Sequence, residues 1–83
     1  MTKRSLTKDE RFLVALYEMA ERDGDVFTPI NRYTVAKSIG LQERATKTIC
    51  RTLLQTNFIK KSGDTDIVLT PRGKSFVQDI FDE

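Results

Sequence analysis

The sequence predicts a small, mainly helical α+β domain that contains one β hairpin. Apolar residues recur with the 3.6-residue period of an amphipathic helix within residues 8–22, 43–55 and 71–81. Two short β-favouring runs, residues 58–61 and 66–69, flank the turn sequence Ser-Gly-Asp-Thr. The predicted order is helix, short strand, helix, helix, two strands and helix. A chain of 83 residues has room for one domain.

The first helix follows a short basic arm, residues 1–6, which we expect to be flexible. The arm has two interpretations: an ordinary frayed terminus, or a segment that reaches into a DNA minor groove. The helix itself is predicted over residues 8–22. Thr7 and Glu10 match the capping box that begins a helix, and Gly24 supplies the turn that ends it.

A short strand and a second helix are predicted next. Residues 26–28 are Val, Phe and Thr, a β-favouring run between breakers, and we assign them to the strand. The second helix begins either at Pro29, with Thr28 as its cap, or at Arg32, with Asn31 as its cap.

A tight corner is expected between the second and third helices. Ala36 is a small residue four positions before Gly40, and such a residue lets two helix axes cross closely. Gly40 can adopt the left-handed conformation that ends a helix, and Leu41 fills the corner. The third helix, residues 43–55, has one apolar face and one polar, mostly basic face. The polar face carries Gln42, Arg44, Lys47, Thr48, Arg51 and Gln55.

The stretch from residue 31 to residue 56 resembles the helix-turn-helix of winged-helix transcriptional regulators, closest to the MarR and PadR types. The resemblance rests on Gly40 with an apolar residue after it, the apolar helix face, and the exit Asn57-Phe58-Ile59. Asn57 stands where the family usually has glycine, and asparagine tolerates the same left-handed geometry. The later Leu69-Thr70-Pro71-Arg72-Gly73 resembles the family's passage from wing to final helix. The ordered combination carries the resemblance.

The resemblance implies a single winged-helix domain over residues 1–83, with the helix-turn-helix at 31–56, the wing hairpin at 58–69 and the C-terminal helix at 71–81. The family's spacing favours Asn31 as the cap of the second helix. The resemblance also implies a transcriptional regulator that binds double-stranded DNA with the helix 43–55 in the major groove. Expected base contacts are Gln42, Arg44, Lys47 and Thr48, and expected phosphate contacts are Arg32, Lys37, Arg51, Lys60 and Lys61.

The charge distribution agrees with a phosphate-binding surface. Residues 28–61 hold seven basic side chains and one acidic side chain, a net charge of +6, although the whole chain carries only +2. Such a concentration is the electrostatic footprint of a nucleic-acid-binding unit. Asp64 and Asp66, near the tip of the predicted hairpin, would face phosphates unfavourably. Lys60 and Lys61 at the base of the hairpin partly offset these acids and are expected to pair with them across the strands. The wing is therefore expected to stay off the duplex.

Several functional classes lack the residues they need. The chain has no histidine, one cysteine and no acidic cluster at metal-ligand spacing, so we expect no metal, no cofactor and no enzyme activity. Cys50 falls on an apolar helix face and is interpreted as a core residue, with a redox sensor as the alternative. The longest apolar run, residues 12–17, is too short to cross a bilayer, and a cytoplasmic location is expected.

Ile80 and Phe81 lie at the end of the last helix, where a chain of this size has little left to cover them. A homodimer through the first and last helices would cover both, and intramolecular contacts are the alternative. A rival function uses the same fold as a protein-interaction module, with these residues or the acidic wing as the contact surface. A third possibility is an architectural nucleic-acid binder without sequence preference.

Overall fold

The computed structural model describes residues 5–83, which form four helices and a three-stranded antiparallel sheet. The elements are α1 (Lys8–Asp23), β1 (Ile30–Asn31), α2 (Arg32–Ser38), α3 (Glu43–Gln55), β2 (Ile59–Ser62), β3 (Asp66–Leu69) and α4 (Pro71–Phe81). The predicted α+β class and the predicted order of elements are therefore confirmed. Lys3 and Arg4 of the predicted basic arm lie outside the described residues.

The first helix begins at the predicted capping box. The hydroxyl of Thr7 accepts from the amide of Glu10 at 3.2 Å, and the carboxylate of Glu10 accepts from the amide of Thr7 at 2.9 Å. The helix ends one residue later than predicted, at Asp23, with Gly24 as its cap. Phe12 and Leu16 project from its inner face into the centre of the core.

The first strand lies later in the chain than predicted, and its assignment to residues 26–28 is wrong. The Asp25 carboxylate accepts from the amide of Phe27 at 2.7 Å, and the Thr28 hydroxyl accepts from the amide of Asp25 at 3.1 Å. Short polar side chains that bond nearby amides in this way compete with strand formation. The segment is a turn, and strand pairing starts only at Ile30.

The central strand of the sheet is β3, which pairs with β1 on one side and β2 on the other. On the β2 side, Lys60 lies opposite Val68 and Lys61 lies opposite Ile67, while Asp66 faces Ser62. The expected cross-strand pairing of the two lysines with the hairpin acids is therefore wrong, because the register places apolar residues opposite them.

The helices α2 and α3 end with the same hydrogen-bonded cap. At the end of α2, the amide of Leu41 donates to the carbonyl of Ala36 at 2.9 Å, and Gly40 has a φ of +76°. At the end of α3, the amide of Phe58 donates to the carbonyl of Leu53 at 3.0 Å. Both are Schellman-type caps, in which one residue must adopt the left-handed conformation. This cap takes up the amide of Phe58, and β2 begins one residue later than predicted.

The left-handed residue at the end of α3 is Asn57, with a φ of +64°, as predicted. Replacing it with alanine should lower the free energy of unfolding by about 1 kcal/mol, because alanine pays a steric penalty in this conformation. Replacing it with glycine should leave stability unchanged or slightly higher. Urea denaturation of the two variants would measure the difference, and equal midpoints would mean that the positive φ contributes nothing to stability.

The helices α2 and α3 differ in how their first turns are capped. The Asn31 side chain caps α2 and accepts from the amides of Tyr33 and Thr34, which confirms the second of the two predicted starts. No side-chain cap bond is formed by Gln42 at the start of α3. The hydroxyl of Thr46 is fully buried and donates to the backbone carbonyl of Gln42 at 2.8 Å. Ile49, Cys50 and Leu53 complete the buried face of α3.

The final helix contacts α1 and covers the core. The expectation that Ile80 lies uncovered is wrong, because Ile80 is only 1% exposed. Phe81 is 36% exposed, and its ring meets the edge of Tyr17 at a centroid distance of 5.5 Å. A dimer through α1 and α4 stays a prediction, and Phe81 rather than Ile80 is the side chain available for it.

Candidate nucleic-acid interface

The outward face of α3 carries the residues that the sequence assigned to nucleic-acid contact. Thr46, Ile49, Cys50 and Leu53 point into the core, which turns the predicted polar face toward solvent. The exposed side chains of this stretch include Gln42, Arg44, Lys47, Thr48 and Arg51. The exposed face of α3 has two flanks, and they differ in the neighbouring elements and side chains that border them.

One flank of α3 forms a cleft with the start of α1. The cleft has a volume of about 420 Å³, and three of the four predicted base-contact residues line it, namely Gln42, Arg44 and Thr48. The Thr48 hydroxyl donates to the carbonyl of Arg44 at 3.3 Å, so its oxygen remains able to accept. Lys8 and Asp9 of α1 form the other wall.

The other flank of α3 forms a second hollow with α2 and β2, which we call the cationic recess. Its volume is about 210 Å³, and it is lined by Arg32, Lys47, Cys50, Arg51, Leu54 and Lys61. Three of the five predicted phosphate-contact residues are therefore brought together, and Lys47, predicted for base contact, joins them. The sequence contained one signal for this grouping, since Lys47 and Arg51 are four residues apart on a helix.

Arg32 is held in place by its neighbour. Its guanidinium donates to the hydroxyl of Tyr33 at 3.1 Å and lies 5.0 Å from the centre of the Tyr33 ring. The hydrogen bond to Tyr33 raises the pKa of Arg32 above its ordinary value, which keeps the side chain charged. Its Nε atom is buried and has no hydrogen-bond partner.

The floor of the recess is apolar. Cys50 is a buried free thiol, and burial raises its pKa, an effect that the charge of Arg32 partly opposes. The thiol is therefore protonated at neutral pH, in keeping with its interpretation as a core residue. Leu54, half-buried, completes the floor.

Two predicted phosphate-contact residues lie outside this grouping. Lys37 is exposed near the end of α2. Lys60 is exposed on β2, and because side chains alternate along a strand it projects from the sheet face opposite to Lys61. Lys47 also forms an exposed ion pair with Glu43 at 3.7 Å, a contact that contributes little because solvent screens it.

The loop of the hairpin is tied to the start of α2. The amide of Arg32 donates to the carbonyl of Thr65 at 3.0 Å, and the Asn31 side chain donates to the Thr65 hydroxyl at 3.2 Å. These bonds hold β2 and β3 beside α2. They also explain how Lys61 comes to share a hollow with residues far away in sequence.

Within residues 5–83, no group of three or more His, Cys, Asp or Glu side chains could hold a metal ion. No helix in this described part of the chain is long and apolar enough to cross a membrane. Comparison with known proteins found no matching family model and no matching curated protein.

Proposed function

We propose that this chain is a winged helix-turn-helix domain that binds double-stranded DNA as a transcriptional regulator in the cytoplasm. In this proposal α2 and α3 are the helix-turn-helix, and β2 and β3 are the wing. The supporting observation is the outward face of α3, where Arg44, Lys47 and Arg51 are exposed beside Arg32 of α2 and Lys61 of β2. Four of these five residues, all except Arg44, line the cationic recess, and no carboxylate lines it. Arg44 lies on the other flank of α3.

The dimensions of α3 suit a major groove. A helix of 13 residues is about 20 Å long, and the major groove, about 12 Å wide, admits an α-helix. Gln42 directly precedes α3, and Arg44, Lys47 and Thr48 lie in its first two turns, from which side chains would reach base edges. Arginine suits guanine and glutamine suits adenine, because both can make paired hydrogen bonds to those bases.

The cationic recess and the remaining lysines would contact the backbone. In this arrangement Arg32, Arg51 and Lys61 meet phosphates on one side of the groove, and Lys37 and Lys60 add long-range attraction. Phosphate contacts position a protein on DNA without reading its sequence. Gln42, Arg44 and Thr48 thus lie on one flank of α3 and Arg51 lies on the other. Lys47, assigned to base contact, lies on the flank assigned to the backbone.

A homodimer would present two copies of α3 to a palindromic site. We propose that it forms through α1 and α4, where Phe81 is 36% exposed. Intramolecular contact with Tyr17 covers only part of the Phe81 ring.

The test of DNA binding is a fluorescence-anisotropy titration of mixed-sequence duplex DNA at low and moderate salt. The double variant Arg44→Ala, Lys47→Ala should bind at least tenfold more weakly than the unmodified protein, because each lost contact of this type costs about 1–3 kcal/mol. The control is Arg72→Ala, Lys74→Ala, which removes the same charge from α4. Binding of the unmodified protein should also weaken steeply with salt.

Two results would contradict the proposal. The first is an absence of binding by the unmodified protein at low salt. The second is an equal loss of affinity in the control variant, which would mean that net charge rather than the face of α3 is responsible.

A second candidate function is a protein-interaction module without direct DNA binding. It is favoured by two large apolar side chains on the described surface, Phe27 at 40% and Phe81 at 36% exposed. Isolated exposed apolar residues are common, so the observation is weaker than the charge pattern. Partner binding that survives high salt and requires Phe81 but not Arg44 would support this function instead.

A further inference from the structure

The cationic recess concentrates positive charge that nothing in its lining neutralises. Arg32 of α2, Lys47 and Arg51 of α3, and Lys61 of β2 surround one hollow of about 210 Å³, and no acidic residue lines it. Like charges that border one hollow repel one another, and an anion between them removes that repulsion. Outside the lining, Glu43 pairs with Lys47 at 3.7 Å, and both side chains are exposed.

One cation of the recess is already oriented by a neighbouring side chain. Nη2 of the Arg32 guanidinium donates to the hydroxyl of Tyr33 at 3.1 Å, and the guanidinium lies 5.0 Å from the centre of the Tyr33 ring. The side chain has its orientation before any ligand arrives, so little conformational entropy is lost on binding.

The apolar floor of the cationic recess strengthens the electrostatic interactions made above it. Cys50 is buried with its thiol protonated, and Leu54 is half-buried beside it. Charges over such an apolar floor are screened less than charges surrounded by water, so an anion here interacts more strongly than on an open surface. The hollow is several times the volume of about 30 Å³ that one water occupies in the liquid, which leaves room for a tetrahedral oxyanion.

We infer that the cationic recess is a binding site for a single phosphate group, held by Arg32, Lys47, Arg51 and Lys61. Phosphate matches the site because it carries negative charge on several oxygens and accepts paired hydrogen bonds from a guanidinium. The group belongs either to the backbone of duplex DNA or to a small phosphorylated compound. For the first source, the inference rests on the proposed function.

The test uses inorganic phosphate and thermal unfolding of the whole chain. Phosphate at about ten times its dissociation constant should raise the unfolding midpoint by roughly 4 °C or more over chloride at equal ionic strength. Lys61→Gln should lose at least half of this rise. The matched control is Lys60→Gln, which removes the same charge from the next residue, on the other face of β2, and should keep the full rise.

A third variant separates geometry from charge. Arg32→Lys keeps the positive charge but removes Nε and the planar fork, and it should also lose part of the phosphate response. The inference is overturned if phosphate stabilises the unmodified protein no more than chloride does. Equal responses in Lys61→Gln and Lys60→Gln would overturn it as well.

Competition with DNA distinguishes the two sources of the phosphate. If phosphate lowers the affinity for duplex DNA at least threefold more than chloride does, and Lys61→Gln removes this difference, the site takes a backbone phosphate. A thermal response without competition assigns the site to a small phosphorylated compound. A thermal response in a protein that binds no DNA rejects the proposed function but supports the recess as a phosphate site.

Discussion

Replacing Gly73 with alanine is expected to lower the free energy of unfolding by about 1–3 kcal/mol, the usual range for inserting an extra carbon atom into a well-packed interior. A Cβ atom built on Gly73 would overlap the backbone carbonyl oxygen of Phe58 and would lie 3.0 Å from Cδ2 of Leu69. The carbonyl cannot easily move, because it accepts from the amide of Thr70 at 3.1 Å and leads into β2. The loss is a large fraction of the roughly 4–12 kcal/mol that a domain of this length has in total.

The sign of this prediction is informative because helix propensity alone predicts the opposite. Alanine is favoured over glycine within a helix by about 1 kcal/mol. Ser75→Ala in α4 is the matched control, since Ser75 is exposed and its variant should be neutral or slightly stabilised. Urea denaturation followed by circular dichroism compares the two. Gly73→Ala as stable as the unmodified protein would mean that α4 does not rest on the backbone of Phe58.

The elements predicted accurately are those whose ends are encoded by neighbouring residues. The capping box at Thr7 and the left-handed positions at Gly40 and Asn57 depend on hydrogen bonds that span only a few residues. The predicted end of α3, residue 55, agrees with the structure for the same reason, because Asn57 ends the helix. Local chemistry decides such features, so a single sequence is sufficient to find them.

The first strand was misplaced because two local signals conflicted. Residues 26–28 have high β propensity, but the side chains of Asp25 and Thr28 bond the amides of that segment and fold it into a turn. The true strand is defined by its pairing of Ile30 with Ile67, residues far apart in sequence. Propensity is a weak guide when a two-residue strand depends on a distant partner.

The candidate interface was predictable as a set of residues but not as an arrangement. The charge concentration and the helix period identified Arg32, Arg51 and Lys61. Whether Lys60 or Lys61 enters the recess depends on strand register, and a shift of one residue exchanges the two faces. The recess also requires the bonds between Thr65 and the start of α2, which no pattern in the sequence specified.

Replacing Ile80 with alanine should lower the free energy of unfolding by about 2–5 kcal/mol, the usual cost of truncating a buried isoleucine. Ile80 is 1% exposed, so its removal leaves a cavity. Phe81→Ala is the adjacent control and should cost about 1 kcal/mol, because Phe81 is partly exposed and loses chiefly its edge contact with Tyr17. Urea denaturation measures both, and equal costs would contradict the burial of Ile80 within one chain.

Phe81 also tests the proposed homodimer, because its partly exposed ring is available for contact with a second chain, whereas Ile80 is buried within one chain. Phe81→Asp should weaken self-association at least tenfold in sedimentation equilibrium if α1 and α4 form the interface, since it places a charge in an apolar contact. The free energy of unfolding of the monomer should fall by about 1 kcal/mol, as for Phe81→Ala, because the same edge contact with Tyr17 is lost and the monomer stays folded. If Phe81→Asp associates as the unmodified protein does, the exposed ring plays no part in a dimer. In that case a palindromic site would require a different two-fold surface, and the face of α3 would more simply bind DNA as a single copy.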